Sequence, residues 1–316
     1  MRPFFLIVAI LVSAVSFAQT PEEVYKKANE YYNKGDYQSA LTEINKALVS
    51  DSINLDYLLD KGNILYRLQD YQNALNAFSK AVYFHPGSVI ALNQRGLLLR
   101  NIQEFEYAIE DFNTALTLPK NDIDSFRITL YINRGAAKIG IRNFQGAYDD
   151  FMLAYKIDSL DIGVLNNLAT VCDEVGRGNE TLKYLFKIVA LDPSFIGTYV
   201  NIGFKYQEDG DYKKAIEYFT KVISMDPEEP LAYSNRSFNL LKTGDLTAAL
   251  KDVDRSIQLY PTNSFAFKNR ALIYIAMNKI DKACADLDKA IEFGFTKMYG
   301  QEVEDLKFKH CKNKNG

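Results

Sequence analysis

Apolar residues along most of this chain fall three and four positions apart, the spacing of an amphipathic helix with one buried stripe. Short breaks interrupt the stripe at regular intervals. Gly35-Asp36-Tyr37 and Gly210-Asp211-Tyr212 mark one kind of break. There, glycine ends one helix in the left-handed conformation and aspartate caps the next. Asp192-Pro193 and Asp226-Pro227 mark the other kind, where a pair of helices ends and a new pair starts. The pattern predicts helix, tight turn, helix and connecting turn, many times over.

The recurrence has a fixed step. Asn stands at 133, 167, 201, 235 and 269, each 34 residues from the last. Small residues follow two positions later (Gly135, Ala169, Gly203, Ser237, Ala271), and Ala or Thr recurs at 147, 181, 215, 249 and 283. Extended backwards, the repeats occupy 21–54, 55–88, 89–122, 128–161, 162–195, 196–229, 230–263 and 264–297, with five residues, Ile123 to Arg127, inserted after the third. The small residues at positions 8 and 20 are expected to face each other where the two helices cross. The fifth repeat is the most degenerate, with Thr181, Leu185 and Ile188 on its second helix.

Position by position the unit is similar to the tetratricopeptide repeat: large at 4, small at 8, aromatic or Leu at 11, Ala at 20, Phe at 24, Ala at 27, Pro at 32. Repeat 6 carries Tyr199, Gly203, Tyr206, Ala215, Phe219, Val222 and Pro227, and repeat 2 carries Leu58, Gly62, Leu65, Ala74, Phe78, Ala81 and Pro86. The resemblance spans residues 21 to 297. It implies an all-α protein, an α-solenoid wound as a right-handed superhelix, with residues 298–316 as a capping helix and tail. Within the segment from Gly300 to Lys312, Glu302, Glu304, Asp305, Lys307, Lys309 and Lys312 are assigned to its wet face.

Positions 7 and 23 change together along the chain: Arg95 with Asp111, Arg134 with Asp150, Arg236 with Asp252, Arg270 with Asp286, and Lys27 with Glu43. Repeats 5 and 6 lose both charges, as Leu168 with Tyr184 and Ile202 with Tyr218. Repeat 2 alone breaks the rule, with Lys61 opposite Ala77. This points to ion pairs inside each hairpin rather than to an arginine-lined anion site.

The resemblance places the first helices on the inner wall, where position 6 reads Gln94, Asn133, Asn167, Asn201, Asn235 and Asn269. A side-chain amide both donates and accepts, so a ladder of them can clamp the backbone of an extended polypeptide without reading its sequence. Some tetratricopeptide proteins use an asparagine ladder in that way; the alternative is that these residues bond locally. Phe204 and Phe238, at position 9, are candidates to receive apolar side chains, or to pack on neighbouring helices. The clamp that some relatives use for a partner's terminal carboxylate is not supported, because Tyr25 and Asp60 stand where Lys and Asn are needed.

The net charge of -3 lacks the basic surplus of a nucleic-acid binder. No metal or cofactor is expected, and no catalytic motif appears, so the expectation is a non-enzymatic scaffold for a protein or peptide partner, in cell-envelope assembly or secretion. A carbohydrate or cell-wall binding module is the alternative, and the oligomeric state stays open. Arg2, the apolar run from Phe4 to Val12, and Ser16-Phe17-Ala18 read as a secretory signal (residues 1–18) cleaved after Ala18, which places the protein in the periplasm or outside the cell; an uncleaved anchor is the alternative. No second run of membrane length follows. Export makes a Cys284–Cys311 disulfide possible, against two independent thiols, while Cys172 falls at a core position.

Overall fold

Each predicted break has a local cause in the computed structural model, which describes residues 20–118 and 124–311. The expected signal, Ile123 of the insertion and Lys312 of the cap lie outside them. The described residues form helices and no strands, and they divide into two compact units between Ile157 and Asp158.

The first unit holds four hairpins. They are α1 (Pro21–Asn33) with α2 (Tyr37–Ser50), α3 (Leu55–Arg67) with α4 (Tyr71–Phe84), α5 (Val89–Asn101) with α6 (Phe105–Thr117), and α7 (Asp124–Gly140) with α8 (Phe144–Ile157). Each helix packs on the next, so the unit is a solenoid whose core runs continuously from repeat to repeat. The described part of the insertion, from Asp124, is helical and gives α7 an added turn at its start.

The second unit holds α9 (Ile162–Val171) with α10 (Gly178–Leu191), α11 (Ile196–Glu208) with α12 (Tyr212–Met225), α13 (Pro230–Thr243) with α14 (Leu246–Leu259), and α15 (Ser264–Ala276) with α16 (Ile280–Glu292). In the degenerate fifth repeat α9 is short and a 3-10 turn, Asp173–Val175, follows it.

The tight turn depends on one residue with positive φ at position 15 of every repeat. It is glycine at 35, 176, 210 and 244, and Gln69, Gln103, Arg142 and Asn278 elsewhere, all with φ between 56° and 88°. The next residue often caps the second helix: Asp36 accepts from the Ser39 N–H, and Asp211 from the Lys214 N–H.

The small residue at position 8 lies against the side chain at position 24. A β-carbon on Gly96, Gly135 or Gly203 would come within 2.7, 2.5 and 2.9 Å of the rings of Phe112, Phe151 and Phe219, and Gly62 stands in the same relation to Phe78. The rings are fully or almost fully buried. Each phenylalanine reaches across the hairpin into the space that glycine leaves, so the approach that requires a small residue is ring against backbone.

Two helices close the second unit rather than one: α17 (Phe295–Tyr299) and α18 (Glu302–Cys311). The Cys284–Cys311 disulfide ties α18 to α16, with 5.9 Å between the Cα atoms. Phe295 and Val303 are buried in the core of this cap. Glu304 does not lie on the wet face: it is half-buried and accepts a hydrogen bond from the Thr296 hydroxyl. Glu302 and Lys307 pair with Lys268 and Asp288.

Candidate polypeptide-binding face

The first helices of successive repeats lie close enough to form a wall. In the first unit α3 touches α5 and α5 touches α7; in the second α13 touches α15. Position 6 sits on this wall in both units, but its side chains meet different fates.

In the first unit Asn133 is buried between neighbours. Its Nδ2 donates to Asn93 Oδ1 at 3.0 Å, and its own Oδ1 accepts from Arg100 at 3.3 Å. In the second unit Asn269 is fully buried and donates to the Ser234 carbonyl and hydroxyl at 3.1 and 3.2 Å. Asn93 and Ser234 both occupy position 5 of the preceding repeat. Asn133 and Asn269 are therefore inter-repeat ties, which corrects their assignment to a free ladder.

Asn235 is nearly buried as well, although position 5 of the preceding repeat is the apolar Val200. Asn201 is exposed and Asn167 half-buried, and neither side chain has a hydrogen-bond partner among the described residues. Phe204 lies one turn along from Asn201, 37% exposed, with its edge against the buried Phe219 ring at 5.5 Å. Phe238 is half-buried, with the Lys242 and Lys268 ammonium groups 5.2 and 5.6 Å from its ring centre, so it is less available to a ligand. Beside Phe204, Lys205 reaches Asp173 at 2.6 Å and Asp209 at 3.3 Å, neutralising its charge locally. The accessible part of the second unit's wall is thus the stretch from Asn167 to Phe204.

Gln94 lines a cavity of about 560 Å³ on the first unit's wall, with Asn63, Arg67, Leu97 and Arg100. Paired tyrosines build its rim: Arg67 Nε donates to the Tyr32 hydroxyl at 3.3 Å, and Asn101 Nδ2 to the Tyr66 hydroxyl at 2.5 Å. Arg67 and Arg100 carry no in-phase signal in the sequence. For Arg67 the signal lies in residues 35 apart, position 12 with position 13 of the next repeat, and Arg100 reaches position 6 of the next repeat, 33 residues on.

Positions 7 and 23 touch. Arg95, Arg134, Arg236 and Arg270 each grip Asp111, Asp150, Asp252 and Asp286 through two hydrogen bonds of 2.5 to 2.9 Å. In three of the four a further nitrogen reaches position 25 of the preceding repeat: Asn113 at 2.7 Å, Thr220 at 3.0 Å and Asp254 at 2.7 Å. Each of these arginines ties two second helices together over a first helix. Lys27 and Glu43 approach to 3.4 Å, and Lys46 adds a second cation at 2.8 Å.

Position 4 gives little to a sugar. Tyr199 and Tyr233 send their hydroxyls to the Pro193 and Pro227 carbonyls of the connecting turns. Among the described residues no group of His, Cys, Asp and Glu could hold a metal ion, and no helix is long and apolar enough to cross a membrane.

The tetratricopeptide repeat profile matches residues 25–89 and 59–123, and a second profile of the same description matches 196–229 and 269–293. No curated protein matches. Among solved structures, the chain is similar to PilW, a widely conserved type IV pilus biogenesis factor, at 20% identity over 66% of this chain and 95% of that one, with a TM-score of 0.57. It is similar to a chain of the APC/C hetero-tetramer Cut9–Hcn1 at 16% identity over 81% and 48%, with a TM-score of 0.56. A tetratricopeptide repeat protein from Parabacteroides merdae aligns at 20% identity over 91% and 98%, with a TM-score of 0.48. At these identities the likeness is one of fold. The repeat positions, the hairpins they build and the matching profiles together make this chain a member of the tetratricopeptide repeat family.

Proposed function

We propose that the protein is a non-enzymatic scaffold that holds an extended polypeptide against its first-helix wall. The observation that carries this reading is the pair Asn201 and Phe204: an amide without an internal partner, beside an aromatic edge left open to solvent. An amide in that state pairs with a backbone N–H or C=O of the ligand, and the ring takes a neighbouring apolar side chain. Two of the six position-6 side chains are spent inside the fold, so the contact is short and local rather than a continuous track.

Cell-envelope assembly or secretion is the setting that best suits the chain. The apolar run near its start supports export, and the disulfide between Cys284 and Cys311 suits an oxidising compartment. Fractionation of the native cells tests this: the protein should be recovered with the periplasm or the medium, shortened by 18 residues, and recovery of the intact chain in the cytoplasm would refute it. A photo-crosslinking residue at position 204 tests the wall itself. It should capture a polypeptide that the same residue at Lys213, exposed on α12, does not; equal capture at both would refute the face.

A further inference from the structure

The first unit has a second opening, on the opposite side of the hairpins from the first-helix wall. It lies between α2 and α4 with α3 as its floor, and its volume is about 1100 Å³. The matching groove of the second unit, between α12 and α14 over α13, is about 590 Å³. The difference follows from the repeat positions. In the smaller groove, position 7 is Arg236, gripped by Asp252 and tied to Thr220 on the preceding helix. In the larger groove position 7 is Lys61, position 23 is Ala77, and position 25 of the preceding repeat is Asn45. The acid is gone and the cation remains.

Lys61 is half-buried and has no carboxylate partner among the described residues. Burial, and then the neighbouring charge of Lys80, pushes its ammonium down from the ordinary lysine value. The one carboxylate lining the groove is Asp70, which is turned to the Asn73 N–H and amide at 3.3 and 2.8 Å to cap α4. Around the lysines the rim is apolar and open: Val49 is 87% exposed, Tyr83 78%, and Phe84 packs edge-on against Tyr83. Repeats 5 and 6, which lack the acid, lack the cation as well. A retained, partly desolvated cation facing an open apolar groove is costly to the fold unless an anion arrives from outside.

We propose that this groove is a second docking site, for a segment of a partner polypeptide that presents an Asp or Glu side chain next to an apolar residue. The incoming carboxylate takes the place that Asp252 fills beside Arg236, between Lys61 and Lys80, and the apolar neighbour rests on Val49 and Tyr83. The site lies on the second helices and is independent of the Asn201 face.

The test is selection of a random-peptide display library on the full chain, in parallel with the Ala77→Asp variant. That substitution restores the internal acid, so it should raise the melting temperature while removing the binding. Peptides enriched on the wild-type chain only should carry Asp or Glu beside Leu, Ile or Phe. A synthetic peptide of the consensus should bind Lys61→Gln about tenfold more weakly. Lys61→Gln reports independently of whether Ala77→Asp folds. Enrichment of peptides without an acid, no enrichment, or equal binding to Lys61→Gln would overturn the proposal. So would sedimentation showing that the groove is filled by a second copy of the chain.

Discussion

The Phe151 ring occupies the space where a β-carbon on Gly135 would stand, 2.5 Å from its nearest atom. The same relation orders all the repeats. Gly62, Gly96, Gly135 and Gly203 accompany Phe78, Phe112, Phe151 and Phe219, whereas Ala28, Ala169, Ser237 and Ala271 accompany Ile44, Leu185, Val253 and Leu287. One pair holds a constant volume: the larger residue at one position requires the smaller at the other. Gly135→Ala should destabilise the chain by about 1–3 kcal/mol, although alanine favours a helix. Adding Phe151→Leu should recover most of that loss. Additive losses in a denaturant double-mutant cycle would show that the two residues do not share the space.

The same positions show what was legible in the sequence. Period, hairpins and repeat boundaries follow from residues 34 apart, because each repeat meets the same neighbours and needs the same side chains. The ring at position 24 that fills the gap beside position 8 is not legible, since a small residue alone does not say what fills the space it leaves. The contact between positions 7 and 23 is legible because charge appears and disappears in both at once. The fate of the asparagines is not, because it depends on contacts between repeats that position 6 does not encode. Asn133 and Asn269 bond to Asn93 and Ser234, whereas Asn166 holds the same place before Asn201, which stays exposed.

Asp150 is nearly inaccessible and takes both Arg134 and Lys138, the latter at 2.8 Å. Asp150→Ala leaves two cations side by side in a half-buried site. The loss should be about 3 kcal/mol, with a clear fall in melting temperature. An unchanged melting temperature would mean the pair is no more than a surface contact.

Gln103 carries a φ of 66° at the turn position where other repeats have glycine. It is exposed, so its side chain contributes little there. Gln103→Gly should stabilise the chain by about 1 kcal/mol by removing the left-handed penalty, less the entropy glycine adds to the unfolded chain. Thermal unfolding reads the change directly; a lower melting temperature would count against the strain.

The capping aspartates give the fold an acid-side dependence. Hydrogen bonds from the Ser39 side chain and backbone hold Asp36 below the usual carboxylate range, and the Lys214 N–H does the same for Asp211. A depressed folded-state value means that the stability is present above the unfolded value, near pH 4, and is lost as the pH falls through the lower folded values. Asp36→Asn with Asp211→Asn keeps a capping oxygen without a titrating group. The fall in melting temperature between about pH 4 and pH 2 should be shallower in that variant, and an identical fall would remove these carboxylates from the account.

The first-helix wall separates exposed from buried asparagines, and only the exposed ones can meet a partner. Asn201→Ala with Phe204→Ala, in the full chain, should leave Asn201's neighbours folded and weaken capture of the partner from the native envelope fraction. Asn269→Ala should lower stability by about 1–2 kcal/mol, because it removes two buried hydrogen bonds to Ser234, and leave capture intact below the melting transition. Quantitative pull-down of the three chains, wild type and both variants, at matched folded concentration decides it. Capture lost only in the Asn201/Phe204 variant is the predicted result. Capture undiminished in that variant would contradict the first-helix wall as the binding face.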